Sequence, residues 1–140
     1  MPRKPMTAKE KIADRVARSK EAVFLTREFG GVASYDQVLR ALRDLTADGA
    51  LVKLGKGVYA RAKTNPITGQ AMLDVPGGLL VAAQQALTKM GVAWEPSKAT
   101  ADYNLGRSTQ IPVNAVLRIR GRLPRPLRYK GGEVVYEQVA

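Results

Sequence analysis

The stretch "SYDQVLRALRDLTADGALVKLGKGVYAR", residues 34–61, contains the pattern from which the fold can be predicted. Its first part predicts a helix, because Ser34 and Gln37 form a capping-box pair at the start and Gly49 suits a left-handed end. The apolar residues of this helix recur at helical spacing, which marks a buried face. They are Val38, Leu42 and Leu45, and Leu39 and Ala41 widen the face.

Two β-type runs, Ala50–Leu54 and Val58–Arg61, follow the helix and flank Gly55-Lys56-Gly57. A Walker-type phosphate loop requires G-x-x-x-x-G-K, then a hydroxyl residue, between a strand and a helix. Here the glycine spacing is one residue too long, Gly57 replaces the hydroxyl and a strand follows. We therefore expect a hairpin in which positive φ explains both glycines.

Lys56 at the apex of this hairpin has two interpretations. It is either a solvated turn lysine or a cation that reaches a nucleic-acid phosphate, with Lys53 and Arg61 on the flanking strands as further phosphate contacts.

The residues before this stretch predict a helix, a strand and a short helix. "TAKEKIADRVARSK" (7–20) begins with a capping box of Thr7 and Glu10 and has an apolar stripe at helical spacing. "AVFL" (22–25) is a strand candidate, and "TREF" (26–29) starts a brief helix that two glycines end. Helix, strand, short helix, capped helix and hairpin, in that order, outline a winged helix-turn-helix.

The rest of the chain predicts a smaller α+β region. Residues 63–70 are polar, 74–91 offer an amphipathic helix, and 95–106 suggest a shorter one. From Ala115 onward the pattern is that of strands, with Gly131-Gly132 as a hairpin signal. The predicted fold class is therefore α+β. It comprises a flexible basic N-terminal arm (1–6), a winged helix-turn-helix (7–62), a connector (63–73) and a small α+β C-terminal domain with a β-hairpin (74–140).

The charge balance points to a polyanionic partner. Lysine and arginine number 23 against 12 acidic residues, which gives a net charge of +11 and an isoelectric point near 10.3. A basic surface attracts phosphate regardless of sequence. The alternative is a solvated basic surface that only aids solubility.

The sequence contains neither cysteine nor histidine, which excludes several kinds of catalytic and metal site. Without cysteine there is no disulfide or thiolate, and without histidine the usual general base and commonest metal ligand are missing. We therefore expect no enzyme, no cofactor and no metal site. The amino terminus is basic, and no apolar run approaches the roughly 20 residues that span a bilayer. We expect no membrane partner and a cytoplasmic, nucleoid-associated location.

The helix over 35–47 is the candidate recognition helix. In steps of about 100° per residue, Arg40 lies opposite the buried face, with Gln37 and Arg43 beside it. In a major groove Gln37 can hydrogen-bond adenine, and Arg40 can donate two hydrogen bonds to guanine.

Other residues of this helix have alternative interpretations. Asp36, Arg40 and Asp44 are spaced by four and could form a self-neutralised salt-bridge stripe instead. Tyr35 falls on the apolar side, as a packing residue or a contact at the phosphate edge, and Ser34 is a cap whose N–H lies at an anion-attracting helix start. The candidate DNA contacts are Ser34, Tyr35, Gln37, Arg40, Arg43, Lys53, Lys56 and Arg61.

A second basic feature, "RIRGRLPRPLRYK" (118–130), contains six cations and no acid. They are Arg118, Arg120, Arg122, Arg125, Arg128 and Lys130. Period-two spacing places the first three on one side of a strand. The strip could follow a phosphate backbone, bind an acidic protein, or protect an exposed sheet from aggregation; we favour a polyanion surface.

Three segments, "VFLTREFG", "DQVLRALRDLTADGALVKLGKGVYAR" and "EPSKATADYNLGRSTQIP", resemble small bacterial proteins related to the AbiEi antitoxins of type IV toxin–antitoxin systems. The resemblance covers roughly residues 20–120, and its most specific pieces are "G-x-L-x-x-L-x-x-G-V-Y" ending at Tyr59 and the later Pro96-Ser97 to Gln110-x-Pro112. It implies an N-terminal winged helix-turn-helix, repression of the protein's own operon and, in some relatives, antagonism of a toxin. AbiEi antitoxins proper are longer, so the resemblance bears on DNA binding more than on toxin neutralisation.

We therefore expect a sequence-specific regulator that binds double-stranded DNA as an antitoxin-like autorepressor. A cognate toxin and a second copy of the chain, forming a homodimer, are further candidate partners. The alternative is a protein-interaction module whose C-terminal half binds an acidic partner. Binding to RNA or the ribosome is a third option.

Overall fold

The computed structural model describes residues 6–97, 116–122, 124–129 and 132–139. These ranges form a mixed α+β structure, which confirms the predicted fold class at that level. The predictions for Lys130, Gly131, most of the basic arm and the helix after Ser97 lie outside the described residues.

The helices are α1 (Ala8–Arg18), α2 (Tyr35–Ala47) and α3 (Gly78–Lys89), with a 3-10 helix at Thr26–Phe29. The strands of the N-terminal part are β1 (Val23–Leu25), β2 (Leu51–Gly55), β3 (Val58–Thr64) and β4 (Ala71–Leu73). Those of the C-terminal part are β5 (Trp94–Pro96), β6 (Val116–Arg120), β7 (Arg128–Tyr129), β8 (Gly132–Glu133) and β9 (Val135–Val139).

Local sequence explains where the first two helices begin and end. Thr7 Oγ1 accepts a hydrogen bond from Glu10 N at 3.1 Å, and Ser34 Oγ accepts one from Gln37 N at 3.3 Å. These bonds satisfy N–H groups that the first helical turn leaves unpaired. Gly49 has a φ of +83°, a left-handed conformation that favours glycine. The predicted caps of α1 and α2 and the stop after α2 are thus confirmed.

The first sheet has β3 at its centre. β1 and β2 pair with β3 on either side, both antiparallel, in the order β1-β3-β2. In this register Leu25 lies opposite Val58, and Lys53 lies opposite Tyr59. The 3-10 helix, which starts directly after Leu25, is therefore next to the turn between β2 and β3.

β4 extends this sheet beyond the predicted hairpin. It pairs antiparallel with the second half of β3, and Ala62 lies opposite Leu73. Asn65 closes the turn, because its side-chain oxygen accepts a hydrogen bond from Ile67 N at 2.9 Å. Residues 63–73, which the sequence predicts as a connector, therefore belong to a β-hairpin.

Both faces of the first sheet are buried. Side chains alternate along a strand, so Tyr59 packs beneath α1 and α2, whereas Val58 and Ala60 pack on the opposite face. The core beneath α1 and α2 includes Ile12, Phe24, Phe29, Val38, Leu42, Leu45 and Leu51. This packing positions α2 against the β2–β3 hairpin.

α3 and a second sheet cover the other face. In the second sheet β6 lies between β5, which is antiparallel to it, and β9, which is parallel; β7 and β8 form a separate ladder. One hydrophobic cluster joins both predicted domains. Its members include Val23, Val58, Ala60, Ala83, Leu87, Leu117, Ile119, Leu127 and Val134.

Candidate nucleic-acid interface

A groove of about 1000 Å³ lies between α2 and the hairpin of β2 and β3. Cations come to it from the 3-10 helix, from α2, from the hairpin and from the C-terminal part of the chain. They are Arg27, Arg43, Lys53, Lys56 and Arg125. The described residues that line the groove include no carboxylate. Five positive charges therefore share one concave surface, and none of the described residues that line it carries a negative charge.

The side of α2 that faces the groove differs from the one predicted. Tyr35, Leu39 and Arg43 line the groove, as residues four apart on a helix do. Tyr35 is 70% exposed, so the packing interpretation is wrong and the contact at the phosphate edge stays a prediction. Arg40 is exposed but does not line the groove, so it lies on the neighbouring flank of α2.

The predicted salt-bridge stripe on α2 is not formed. In the described ranges, no ion pair within 4.0 Å joins Arg40 to Asp36 or Asp44. Arg40 on the outer flank of α2 thus has no ion pair with a described residue, and direct base contact by Arg40 stays a prediction.

Ser34 and Gln37 are both used by the cap of α2. Gln37 Oε1 accepts hydrogen bonds from Ser34 N at 3.2 Å and from Ser34 Oγ at 3.1 Å. A bidentate contact to adenine needs that same oxygen together with the side-chain NH₂ group. Both residues therefore cap α2 in this structure, and their contacts to DNA stay predictions.

Arg61 has a structural role, and its predicted phosphate contact stays a prediction. Its Nη2 donates to the carbonyl oxygen of Glu21 at 2.8 Å and to that of Ser19 at 3.3 Å. These carbonyls lie between α1 and β1, near the end of β3 that points away from the hairpin turn. The side chain is half-buried and does not line the groove.

Replacing Arg61 with alanine is expected to lower the free energy of unfolding by about 1–2 kcal/mol, because two hydrogen bonds are lost. Denaturant unfolding measures this change, with Arg18→Ala on the exposed surface of α1 as the control that leaves stability nearly unaltered. An unchanged stability for Arg61→Ala would contradict the structural role.

The turn between β2 and β3 needs its two glycines for different reasons. Gly57 has a φ of +73°, as predicted for a turn glycine, but Gly55 is not in the left-handed region. A Cβ at Gly55 would overlap the carbonyl oxygen of Pro126 and lie 3.1 Å from the side chain of Leu127. The prediction that turn conformation explains both glycines is therefore wrong for Gly55, whose small size permits a close approach of the C-terminal chain.

The floor of the groove is largely apolar and contains one buried tyrosine. Leu25, Leu39 and Met90 line it together with Tyr59, which is only 6% exposed. Burial raises the pKa of Tyr59 above its ordinary value, and nearby Arg43 offsets part of this rise. The Tyr59 phenol is therefore protonated at neutral pH and can donate a hydrogen bond.

The predicted basic strip does not form one continuous surface. Arg118 points away from the core as expected, but it lies between Glu95 and Glu137 on the neighbouring strands, with Nη1 3.5 Å from Glu95 Oε1. Arg128 pairs with Glu133 at 3.4 Å. Arg125 joins the groove instead, and Lys130 lies outside the described residues.

Three members of the strip, Arg120, Arg122 and Arg125, are exposed and have no ion pair in the described ranges, and of these Arg125 alone lines the groove. The strip is therefore divided into paired, unpaired and groove-lining residues.

The sequence pattern does not predict that Arg27, Thr46 and Tyr59 line the groove. For Arg27 a signal was available: if the strand over 22–25 pairs with the second strand of the hairpin, the residues that follow it lie beside the turn. For Tyr59 no signal was available, because apolar burial and groove lining produce the same sequence pattern.

Across the described part of the chain, no three histidine, cysteine, aspartate or glutamate side chains cluster so that they could hold a metal ion. No helix there has the length and apolarity to cross a bilayer.

Comparison with known proteins gave one match. No curated protein and no solved structure matches the chain. Residues 10–131 match the model of a family described as "Family of unknown function (DUF6088)". The match includes α2, the β2–β3 hairpin and the segment around Arg125, and thus every part of the chain that supplies a cation to the groove. The chain is a member of the DUF6088 family.

Proposed function

We propose that this protein is a sequence-specific regulator that binds double-stranded DNA through the groove between α2 and the β2–β3 hairpin, and that it represses its own operon as an antitoxin-like protein. The observation that most strongly supports this function is the set of five groove cations with no carboxylate among the described lining residues. Neutralising phosphates with such cations releases counterions, which supplies much of the free energy of DNA binding.

The order of elements supports a winged helix-turn-helix over residues 7–62. α1, β1, the 3-10 helix, α2, β2 and β3 follow one another, and the sheet order is β1-β3-β2. In this arrangement α2 is the recognition helix, which a major groove about 12 Å wide can admit. The β2–β3 hairpin is the wing.

The exposed residues then divide into two roles. Arg40, on the flank of α2 outside the groove, contacts base edges. Arg43, Lys53 and Lys56 line the groove and contact phosphates of one strand. Phosphate contacts position the protein, whereas base contacts determine which sequence it prefers.

Alanine at Arg40 and at Arg43 should therefore produce different defects. Arg43→Ala weakens binding to every duplex equally and lowers the salt dependence by about one unit, whereas Arg40→Ala costs about 1–3 kcal/mol only on the preferred sequence. Fluorescence anisotropy with the protein's own upstream DNA and a scrambled duplex measures both effects. Arg18→Ala, an exposed cation on α1, is the control.

Failure of the wild-type protein to prefer its own upstream DNA over the scrambled duplex would contradict the proposed function. So would equal effects of Arg40→Ala, Arg43→Ala and Arg18→Ala on affinity. The stoichiometry of the complex shows whether two copies bind one operator.

A second candidate function is binding of an acidic protein partner, such as a toxin. The apolar floor formed by Leu25, Leu39 and Met90 favours it, because a duplex backbone does not fill such a floor. Co-purification of a neighbouring gene product that DNA does not displace, without a shift of upstream DNA, would support this function. Displacement of bound DNA by structured RNA at equal concentration would indicate RNA binding.

A further inference from the structure

The C-terminal part of the chain contacts the tip of the wing directly. Arg125 Nη1 donates a hydrogen bond to the carbonyl oxygen of Lys56 at 2.5 Å. The carbonyl of Pro126 lies against Gly55, where a side chain would not fit. Leu127, the next residue, is fully buried in the core behind the first sheet. Three consecutive residues therefore hold the turn at which the wing presents Lys56.

The opposite side of the turn is held as well. Thr26 N donates to the carbonyl oxygen of Gly57 at 3.0 Å. Both Lys56 and Gly57 thus have their carbonyl groups bonded to other parts of the chain. The backbone at the tip is fixed, while the side chain of Lys56 is exposed. These two hydrogen bonds therefore fix the backbone from which the Lys56 ammonium extends, opposite Arg43 in the groove.

The segment that contacts the wing is itself anchored to the second sheet. The Tyr136 hydroxyl of β9 donates to the carbonyl oxygen of Arg125 at 3.1 Å, and Val134 N donates to that of Leu127 at 3.0 Å. Burial, with a smaller contribution from Glu133, raises the pKa of Tyr136 to about 12, so its phenol is protonated and donates at neutral pH. A chain of contacts therefore leads from β9 through Arg125 to the wing tip.

We propose that residues 124–127, here named the clamp, are part of the nucleic-acid interface and that Arg125 is the residue that positions the wing, so that DNA binding in the groove depends on the second sheet. This inference rests on the proposed function. It assigns the C-terminal part of the chain to the DNA-binding unit instead of to a separate partner-binding domain.

Arg125 differs from its basic neighbours in ways that suit this role. Arg118 and Arg128 face carboxylates, and Arg122 lies outside the groove. Arg125 lines the groove and uses one donor for the wing carbonyl. A guanidinium has five N–H donors, so others remain for a phosphate oxygen. Arg125 can therefore hold the wing and a phosphate at the same time.

Tyr136→Phe separates positioning from charge. The substitution removes one hydroxyl, leaves the net charge unchanged and alters no residue that lines the groove. If the clamp positions the wing, affinity for the protein's own upstream DNA should fall about fivefold, the effect of one hydrogen bond. The salt dependence should stay at the wild-type value, because no phosphate contact is lost.

Arg125→Ala removes both the hydrogen bond and the charge. Affinity should fall more than in Tyr136→Phe, and the slope of log affinity against log salt should decrease by about 0.9, the value for one phosphate contact on B-DNA. Arg125→Lys keeps the charge, so its slope of log affinity against log salt should be close to that of the wild-type protein. Arg122→Ala removes an exposed cation from outside the groove and is the matched control.

Hydrogen exchange in the free protein tests the clamp without DNA. Tyr136→Phe and Arg125→Ala should increase amide exchange in residues 51–61 and leave exchange in α2 unchanged. Melting temperatures within a few degrees of the wild-type value would exclude general unfolding as the cause of the faster exchange. This readout distinguishes wing positioning from a role in overall stability.

Two results would overturn the inference. One is that amide exchange over residues 51–61 is as slow in both variants as in the wild-type protein, whether or not the protein binds DNA. The other is a wild-type protein that binds upstream DNA while Tyr136→Phe and Arg125→Ala behave like Arg122→Ala. If the wild-type protein binds no DNA but the variants loosen the wing, the proposed function fails and the clamp stands as a wing-positioning contact.

Discussion

Simultaneous replacement of Arg43, Lys53 and Lys56 with alanine is expected to reduce affinity for duplex DNA by a factor on the order of a thousand. All three side chains line the groove, and none forms an ion pair within the described residues. Each charge-assisted contact to a phosphate contributes about 1.5 kcal/mol or more, so three lost contacts cost at least about 4.5 kcal/mol, a factor of a thousand or more in affinity.

Salt titration of the same variant provides the quantitative test. A wild-type protein that neutralises about six phosphates should lose roughly a thousandfold in affinity between 50 and 200 mM salt. The triple variant should show a slope lower by about 2.7. A control with Lys11, Arg18 and Arg122 replaced removes the same charge from exposed sites outside the groove. Equal slopes for the variant and the control would show that net charge, and not the groove, binds DNA.

Gly55→Ala is expected to destabilise the protein by about 1–3 kcal/mol, the range for forcing an extra methyl group into a closely packed site. The added Cβ would overlap the carbonyl oxygen of Pro126, which belongs to the backbone and cannot turn away as a side chain could. Either the wing or the clamp must shift, and the hydrogen bond from Arg125 to Lys56 is lost with it.

Gly31→Ala is the matched control for this substitution. Gly31 is not in the left-handed region, and among the described residues, apart from Gly31 and its two chain neighbours, no heavy atom lies within 4 Å of the position that a Cβ would occupy. Thermal unfolding and duplex binding should both be close to wild type for Gly31→Ala and both be weakened for Gly55→Ala. A Gly55→Ala protein as stable as Gly31→Ala would contradict the close approach between the wing and the clamp.

The parts of the fold that depend on neighbouring residues could be predicted from the sequence. The capping boxes at Thr7 and Ser34, the stop at Gly49 and the hairpin after it each involve residues a few positions apart. The order of elements in the N-terminal part followed from them. The nearby prediction of a connector over residues 63–73 was wrong. An asparagine-closed turn between two short strands has the same composition as a polar linker.

The parts of the site that depend on distant residues could not be predicted. Arg61 binds carbonyls 40 and 42 positions earlier in the chain, and Arg125 binds one 69 positions earlier. Gly55 has its partner in Pro126, which no local pattern indicates. Arg118 was predicted on the correct side of its strand, but the acids beside it depend on strand pairing and register.

Backbone amide chemical-shift mapping most directly tests whether duplex DNA binds in the groove between α2 and the β2–β3 hairpin. The labelled protein is titrated with its own upstream duplex, and each shifted amide is assigned to a residue. We expect the largest shifts on residues 35–43 of α2, on residues 53–57 of the wing and on Arg27 and Arg125. Shifts confined to β5, β6 and β9, or none at saturating duplex, would contradict it.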